Sequence, residues 1–250
     1  MADKAAQELS RLLNSGKKGV AEPARSEAIG GIADLAADES RKEQLWADEK
    51  GVRAVLIGAL DPPGQADAAR QNAIRAVCSL VTHPAIRQPA WADADGVRKI
   101  LVMAAMPGQP EQSRAQAINA LSVLASEPAN AQSMWDDSEG ALAAFVAAAE
   151  AGEPEVHRRH ALRALADLVS DTVNAEKLWH AEHVRGVLTD ASLSSEPSEW
   201  VRAYAVRALS ACPLRERSTA GFTATVDPIL GGPRPGERVL RKEHNREPTL

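Results

Sequence analysis

The sequence has few aromatic residues, two cysteines and no long apolar run. Aromatics make up 3% of its 250 residues, whereas the hydrophobic fraction is 44%. An apolar content built from Ala, Leu and Val is typical of closely packed helices, because sheets favour aromatic and β-branched residues. No apolar run approaches the roughly 20 residues that span a bilayer. We therefore expect an all-helical protein without membrane insertion.

The charge and the cysteine content of the sequence argue against nucleic-acid-binding proteins and small secreted domains. The formal net charge is -5, and no clustered basic segment accompanies it, so we expect no nucleic-acid partner. Cys78 and Cys212 give no disulfide framework of the kind that small secreted domains use. The first residues, MADKAAQELSRLL, lack the basic start and apolar centre of a signal peptide. These features predict a cytoplasmic protein, with the nucleus or an organelle interior as alternatives.

An internal repeat organises the chain. Four of the five tryptophans, Trp46, Trp91, Trp135 and Trp179, are separated by 45, 44 and 44 residues (91−46, 135−91, 179−135). An alanine series keeps this step at Ala28, Ala73, Ala117, Ala161 and Ala205. An arginine precedes each of these alanines by three residues, at Arg25, Arg70, Arg114, Arg158 and Arg202. Such self-similarity is the signature of a repeat architecture.

Each repeat is predicted to contain one short and two longer helices. Ala161, Leu165 and Leu168 follow the spacing of one helical face, and residues 174–180 form a short helix that carries Trp179. A further apolar stripe follows over residues 184–191. Proline and glycine fall between these segments, as in DPPGQ, MPGQP and AGEP, where helices are expected to stop.

The sequence resembles the armadillo repeat family, and HEAT repeats are similar. NAEKLWHAEHVRGVL resembles the armadillo short first helix, turn and second helix, and Gly51, Gly96 and Gly140 lie at the family's usual glycine position between those helices. ARQNAIRAVCSLV and RRHALRALADLV resemble its long third helix. The resemblance covers roughly residues 3–212 and implies a right-handed α-solenoid of three-helix repeats with partial terminal repeats. We place the repeat domain at 1–212 and an extended tail at 213–250.

The recurring tryptophans and arginines have structural interpretations. A repeat cannot bury its apolar face alone, so Trp46, Trp91, Trp135 and Trp179 are predicted to fill the space between units, the alternative being a surface aromatic ladder. The arginine series lies at the edge of the buried stripe, where each side chain can bury its stem and bond to loop carbonyls of its neighbour. In the tail, the apolar cluster of Phe222, Val226, Ile229 and Leu230 is predicted to cap the last repeat, the alternatives being a linker or a docking peptide for a partner.

No chemistry of an enzyme is evident in the sequence. It contains no glycine-rich phosphate loop and no nucleophile–base constellation. Four histidines, His157, His160, His180 and His183, fall in one repeat, but no carboxylate or thiolate series accompanies them. We interpret them as incidental polar residues rather than a zinc site. The sequence thus predicts no catalytic residues, cofactor or metal.

The resemblance implies that the third helices line a concave groove for an extended partner. Positions opposite the buried alanines face that groove and carry several arginines, whereas the importin-alpha branch carries Trp and Asn there, which disfavours a receptor for nuclear localisation signals. The predicted partner-binding residues are Arg75, Asn119, His160, Arg163, Trp200, Tyr204 and Arg207. Exposed aromatic and arginine side chains are common interface anchors. We expect a scaffold or adaptor that binds an extended segment rich in Asp or Glu.

Two alternatives stay open at this point. The chain could be a structural subunit of a larger assembly, bound through the convex face and the tail. It could also be an enzyme subunit, because some HEAT-like proteins attach bilins to phycobiliproteins. That chemistry needs a pocket with an acid–base group, for which His157 and His160 are the only candidates in the sequence.

Overall fold

The computed structural model describes residues 2–60 and 68–211. Within these ranges the chain forms fourteen α-helices and no β-strand. The helices are α1 (Ala2–Ser15), α2 (Glu22–Ala36), α3 (Lys42–Ala47), α4 (Ala54–Leu60), α5 (Ala68–Val81), α6 (Pro84–Ala92), α7 (Lys99–Ala105), α8 (Glu111–Ala125), α9 (Ala131–Asp136), α10 (Ala141–Ala149), α11 (Glu155–Leu168), α12 (Thr172–His180), α13 (Glu182–Ser192) and α14 (Glu199–Ser210). The apolar cluster predicted in the tail lies outside the described residues. None of the described helices is long and apolar enough to cross a bilayer.

Three kinds of helix alternate along the chain. Short first helices carry the recurring tryptophans (α3, α6, α9 and α12), second helices follow them (α4, α7, α10 and α13), and longer third helices complete each unit (α5, α8, α11 and α14). At the N-terminal end α1 and α2 pack as a two-helix unit, and α2 occupies the place of a third helix. The architecture is an all-α solenoid, as the repeat predicts.

An aspartate and a glycine shape the turn between the first and second helices. In the unit that contains α9 and α10, the Asp137 carboxylate accepts a hydrogen bond from the Ala141 backbone amide at 2.9 Å. Asp48 and Asp93 cap the equivalent turns. A Cβ atom added to Gly140 would overlap the Asp137 carboxylate, so the cap needs glycine at this point. The glycines noticed in the sequence therefore have a steric cause.

Small residues let the third helices pack closely. The alanine series is buried: Ala73, Ala117, Ala161 and Ala205 are 0% exposed and Ala28 is 3% exposed. Successive third helices pack directly against one another along α2, α5, α8, α11 and α14, whereas successive second helices contact each other over shorter stretches. The third helices therefore form the most closely packed layer of the solenoid.

The tryptophans lie on the short helices at the boundaries between units. Trp91 and Trp135 are buried, at 4% and 5% exposure. The Trp91 indole donates a 2.8 Å hydrogen bond to Ser133 of the next unit. Trp46 is half-buried against the core, and Trp179, which has no following short helix within the described residues, is also half-buried. The four tryptophan rings are thus buried to different extents.

Arginines stack on three of these rings, an arrangement that the sequence reasoning missed. The guanidinium groups of Arg53, Arg98 and Arg185 lie 4.9, 4.5 and 4.9 Å from the ring centroids of Trp46, Trp91 and Trp179, respectively. Such cation–π contacts add about 0.5–2 kcal/mol each, depending on exposure. In the remaining unit, Leu142 stands seven residues after Trp135 and takes the place of the arginine.

The arginine series three residues before the alanines joins neighbouring units. Arg114 donates to the Ala105 carbonyl at 3.1 Å and to the Glu153 carboxylate of the next unit at 2.6 Å. Arg158 repeats both contacts, with the Ala149 carbonyl at 3.4 Å and with Glu196 at 2.6 Å. Arg25 and Arg202 also donate to backbone carbonyls. The four arginines bond to backbone carbonyls as predicted, but Arg114 and Arg158 reach helix ends of their own unit instead of loops of a neighbour. For these two arginines, carboxylates make the link to the next unit.

Candidate partner-binding surface on the third helices

The candidate surface is the solvent-facing side of the third helices, called here the third-helix face. All seven predicted binding residues lie on it. Trp200 is 61% exposed, the side chains of Arg75, Arg163 and Arg207 are 40–48% exposed, and Asn119, His160 and Tyr204 are half-buried. Their common direction follows from their spacing, because residues separated by three, four or seven positions lie on one side of a helix. The seven residues therefore lie on corresponding sides of their four helices.

Ion pairs between adjacent third helices compensate part of its charge. Arg75 Nη1 lies 2.8 Å from Asp34 Oδ1, and Arg75 Nη2 donates to the Gly30 carbonyl at 3.3 Å. Glu27 adds a second exposed carboxylate on the same helix as Asp34. The arginine-based prediction of a basic groove therefore needs correction at this end, because carboxylates balance or outweigh the charge of Arg75.

At the other end of the face, positive charge exceeds negative charge. Asp167 pairs with Arg207 of the next unit and lies 3.8 Å from Arg163 on its own helix. One carboxylate thus serves two arginines. Arg159 lies one turn before Arg163, and no carboxylate of the described residues forms an ion pair with it. Around Asp167, two arginines share one carboxylate, which leaves a local surplus of positive charge there, whereas the exposed carboxylates Glu155 and Glu199 lie in the first turns of α11 and α14.

The pKa of His160 is consistent with the surplus of positive charge at this end of the third-helix face. Burial, and after it the charges of Arg159, Arg163 and His157, lowers the pKa of His160 from 6.5 to about 4. His160 is therefore a neutral hydrogen-bonding group at neutral pH. The imidazole of His157 is buried on another side of α11, where its Nδ1 lies 3.3 Å from Glu153.

The middle of the face is neutral and polar. Its residues on α8 include Gln116 and Asn119. The Gln116 Oε1 atom is buried and has no hydrogen-bond partner among the described residues. Asn119 uses its backbone carbonyl to accept from Ser122, and its side-chain amide makes no hydrogen bond within that part of the chain. The half-buried Asn119 amide can therefore bond to the backbone of another chain.

Two exposed apolar side chains mark one edge of the basic end. Val156 is 47% exposed and Trp200 is 61% exposed. They occupy the same position in consecutive third helices, 44 residues apart (200−156). Tyr204 lies one turn after Trp200, and the Arg207 guanidinium lies 5.5 Å from its ring centroid. Sequence reasoning selected Trp200 and missed Val156, although the repeat step connects them.

A separate cleft of about 540 Å³ lies beside the second helices. Its lining includes Glu150, Arg158, Glu182, His183 and Glu196. The Arg158–Glu196 pair at 2.6 Å forms part of its wall. Across the described ranges, no group of three or more His, Cys, Asp or Glu side chains is arranged to hold a metal ion.

Comparison with known proteins supports the architecture. No protein-family model matches the chain, and no curated protein is similar to it. Among solved structures, a designed armadillo repeat protein in complex with the peptide (KR)4 is similar over 84% of each chain, with a TM-score of 0.68 and 22% identity. Two engineered proteins of the Northeast Structural Genomics Consortium have TM-scores of 0.65 at 21% identity. They match 82% and 81% of this chain over 78% and 80% of their own lengths.

These similarities, together with the three-helix repeat, define the class of fold. The chain has the α-solenoid fold of armadillo and HEAT-like repeat proteins. At identities of 21–22% the likeness concerns the fold, and function has to be argued from the surface.

Proposed function

We propose that this chain is a protein-binding scaffold that holds an extended, acidic segment of a partner along its third-helix face. The supporting observation is the unequal pairing around Asp167, where Arg163 and Arg207 share one carboxylate and Arg159 has none among the described residues. A partner carboxylate would supply the missing negative charge. Charge-assisted hydrogen bonds from arginine are among the stronger polar contacts in proteins.

Each of the seven residues has a role in this proposal. Arg163 and Arg207 bind partner carboxylates, and Arg75 contributes less because Asp34 already pairs with it. Asn119 and His160 bond to the partner backbone, which allows binding to tolerate different sequences. The remaining two residues, Trp200 and Tyr204, offer an apolar anchor at one end of the face.

The experiment measures the binding of two labelled eight-residue peptides by fluorescence anisotropy. One peptide alternates Asp and Glu, and the other is the basic peptide (KR)4, which occupies the complex of the designed armadillo repeat protein. We expect the acidic peptide to bind this chain more tightly, with an affinity that falls as salt rises. Equal binding of both peptides, or a preference for the basic one, would contradict the proposal.

Variants of the third-helix face test the assignment. The double reversal Arg163→Glu/Arg207→Glu should weaken the acidic peptide at least about tenfold and reduce the salt dependence. Asp167→Asn should tighten binding, because it frees both arginines from their shared partner. The matched control is Lys50→Glu/Lys99→Glu, which makes the same charge change at exposed lysines without ion pairs in the described residues. Lys177→Glu is a weaker control because Lys177 pairs with Asp136 at 2.5 Å.

The cleft beside the second helices favours a second candidate, a structural subunit bound through its convex face. The cleft of about 540 Å³ is open to solvent and carries Glu150, Glu182 and Asp190. If a native partner is captured and binds the double-reversal variant as tightly as the parent chain, the convex face becomes the binding surface. Substitution of Glu182 and Asp190 to Gln and Asn should then weaken that complex.

A further inference from the structure

The basic end of the third-helix face carries three parallel rows of side chains with different chemistry. The apolar row contains Val156 and Trp200. The basic row contains Arg163 and Arg207, seven residues further along the same two helices. Seven residues correspond to about 10.5 Å along a helix axis and to a rotation of only about 20°. The two rows therefore run side by side across α11 and α14.

A row of hydrogen-bonding groups lies between them. It consists of Gln116, His160 and Tyr204, at equivalent positions of three consecutive third helices. On α11, His160 lies about 6 Å from Val156 and about 4.5 Å from Arg163 along the helix axis. The Gln116 carbonyl oxygen, the His160 ring and the Tyr204 hydroxyl form no side-chain hydrogen bond with any residue that the structure describes.

From this arrangement we infer that the partner segment is an extended strand in which acidic and apolar residues alternate. This inference rests on the proposed function and adds the order of residues within the segment. Successive side chains of a strand point to opposite sides. In a strand laid along the central row, one set of side chains therefore meets the basic row and the other set meets Val156 and Trp200.

The remaining groups fit the same strand. Its backbone lies over the central row, where the His160 imidazole and the Tyr204 hydroxyl can bond to peptide N–H and C=O groups. Asp167 lies about 6 Å beyond Arg163 along the axis of α11. An acidic side chain of the partner that extends past the basic row is therefore repelled by the Asp167 carboxylate. Adjacent packed helices lie about 8–10 Å apart, so α11 and α14 accommodate about six residues of extended chain.

Three peptides of six residues test the order of residues directly. The first alternates Leu and Asp, the second has three Leu followed by three Asp, and the third alternates Ser and Asp. We expect the alternating Leu–Asp peptide to bind the full chain at least about fivefold more tightly than the block peptide of identical composition. Binding is measured by anisotropy, and contact with the face is read from the NMR signals of the Trp200 indole and the His160 ring.

Two variants test the apolar row and the basic row separately. Trp200→Ala should weaken the alternating Leu–Asp peptide and leave the Ser–Asp peptide unchanged, whereas Arg163→Gln should weaken both. Trp200 is 61% exposed, so its replacement leaves the core intact. If the block and alternating Leu–Asp peptides bind equally and Trp200→Ala has no effect, the inference is wrong while the proposed function stands. If no acidic peptide binds, both are wrong.

The apolar row has a second candidate occupant, the chain's own segment 212–250, which has to be distinguished from a partner. Hydroxyl-radical footprinting of the free full-length chain tests it, with Trp200 as the reporting side chain. We expect Trp200 to be labelled readily in the free chain and protected by the alternating Leu–Asp peptide. Protection of Trp200 before any peptide is added would assign the row to the chain's own segment and overturn the inference.

Discussion

Arg114 reaches across the boundary between two repeats to Glu153, with Nη1 and Oε2 2.6 Å apart. The same guanidinium donates through Nε to the Ala105 carbonyl at the end of the preceding helix. One arginine therefore fixes both a helix end within its own unit and the position of the next unit. The Arg158–Glu196 pair repeats the arrangement one step along the chain.

Replacement of Arg114 is predicted to destabilise the solenoid by about 2–3 kcal/mol. Arg114→Ala leaves the Ala105 carbonyl and the Glu153 carboxylate without their common donor. Urea unfolding followed by circular dichroism measures the loss. Arg41→Ala is the control, because Arg41 is 38% exposed and its one ion pair within the described ranges is with Asp38, three residues earlier. Its loss should therefore cost under about 1 kcal/mol. Equal effects of the two substitutions would contradict a special role for Arg114.

The same pair predicts a pH dependence. Burial opposes the ionisation of Glu153, but hydrogen bonds from Arg114 and His157 outweigh it and hold the pKa of Glu153 below its usual 4.5. The contribution of the folded-state carboxylate is therefore complete above about pH 4.5 and is lost as the pH falls through the lower folded pKa. The stability difference between the parent and Glu153→Gln should be largest near neutral pH and shrink on acidification. A constant difference down to pH 3 would show that Glu153 does not titrate in this way.

The tryptophans are predicted to contribute unequally to stability. Trp135→Ala should cost about 3–5 kcal/mol, because the ring is 5% exposed. Trp179→Ala should cost less, because its ring is half-buried. Since repeats interact mainly with their neighbours, the damage should unfold the affected units first. Native-state hydrogen exchange locates the weakened region, and an unchanged unfolding curve for Trp135→Ala would rule out a core role for this ring.

The helical units could be predicted from the repeat step alone. The alanine and tryptophan series recur once per unit because these residues pack at the same place in every unit. One further series and one further pair could have been found in the same way. Arg53 and Arg98 each follow a tryptophan by seven residues, and Val156 precedes Trp200 by one repeat. The arginine series is interrupted at Leu142, and the apolar pair does not extend to α8, where Gln112 occupies the equivalent position.

The charge balance of the third-helix face could not be predicted from the sequence. Whether Arg75 reaches Asp34, and whether Arg163 and Arg207 share Asp167, depends on the axial offset between adjacent third helices. That offset is set by packing of the buried alanines and is not encoded in the spacing of the charged residues. The structure therefore places the basic part of the third-helix face on α11 and α14, whereas the sequence-based prediction also included Arg75.

Gly140 is predicted to tolerate no side chain. An added Cβ would overlap the Asp137 carboxylate, which accepts from the Ala141 backbone amide. Gly140→Ala should therefore cost about 1–3 kcal/mol through this overlap and the loss of the helix cap. The matched control is Gly186→Ala, at an open position within α13, which should stabilise by about 0.5–1 kcal/mol.

A double variant tests whether the overlap with Asp137 is the cause. If it is, Asp137→Ala should add little further loss of stability in the Gly140→Ala background, although it is costly on its own. Additive losses would show that the overlap with Asp137 does not cause the effect of Gly140→Ala. Urea unfolding of the four chains completes the cycle.

His160 is predicted to report the electrostatic field of the third-helix face. Its pKa is lowered to about 4, by burial first and then by Arg159, Arg163 and His157. Arg159→Gln/Arg163→Gln should raise the pKa of His160, but not fully to 6.5, because burial is the largest cause and persists in the variant. NMR titration of the imidazole ring in the full-length chain measures the change. Arg41→Gln, on a distant turn, should leave the His160 titration where it is.

The same shift links His160 to stability. Between about pH 6.5 and pH 4 the unfolded chain protonates this histidine and the folded chain does not, so the free energy of unfolding falls as the pH is lowered through this window. His160→Gln removes the titrating group and should flatten that part of the stability profile. In the arginine double variant the folded pKa is higher, and the fall should therefore end at a higher pH. A parent chain in which His160 titrates near 6.5, or in which the arginine substitutions leave its pKa unchanged, would contradict the proposed positive field on α11.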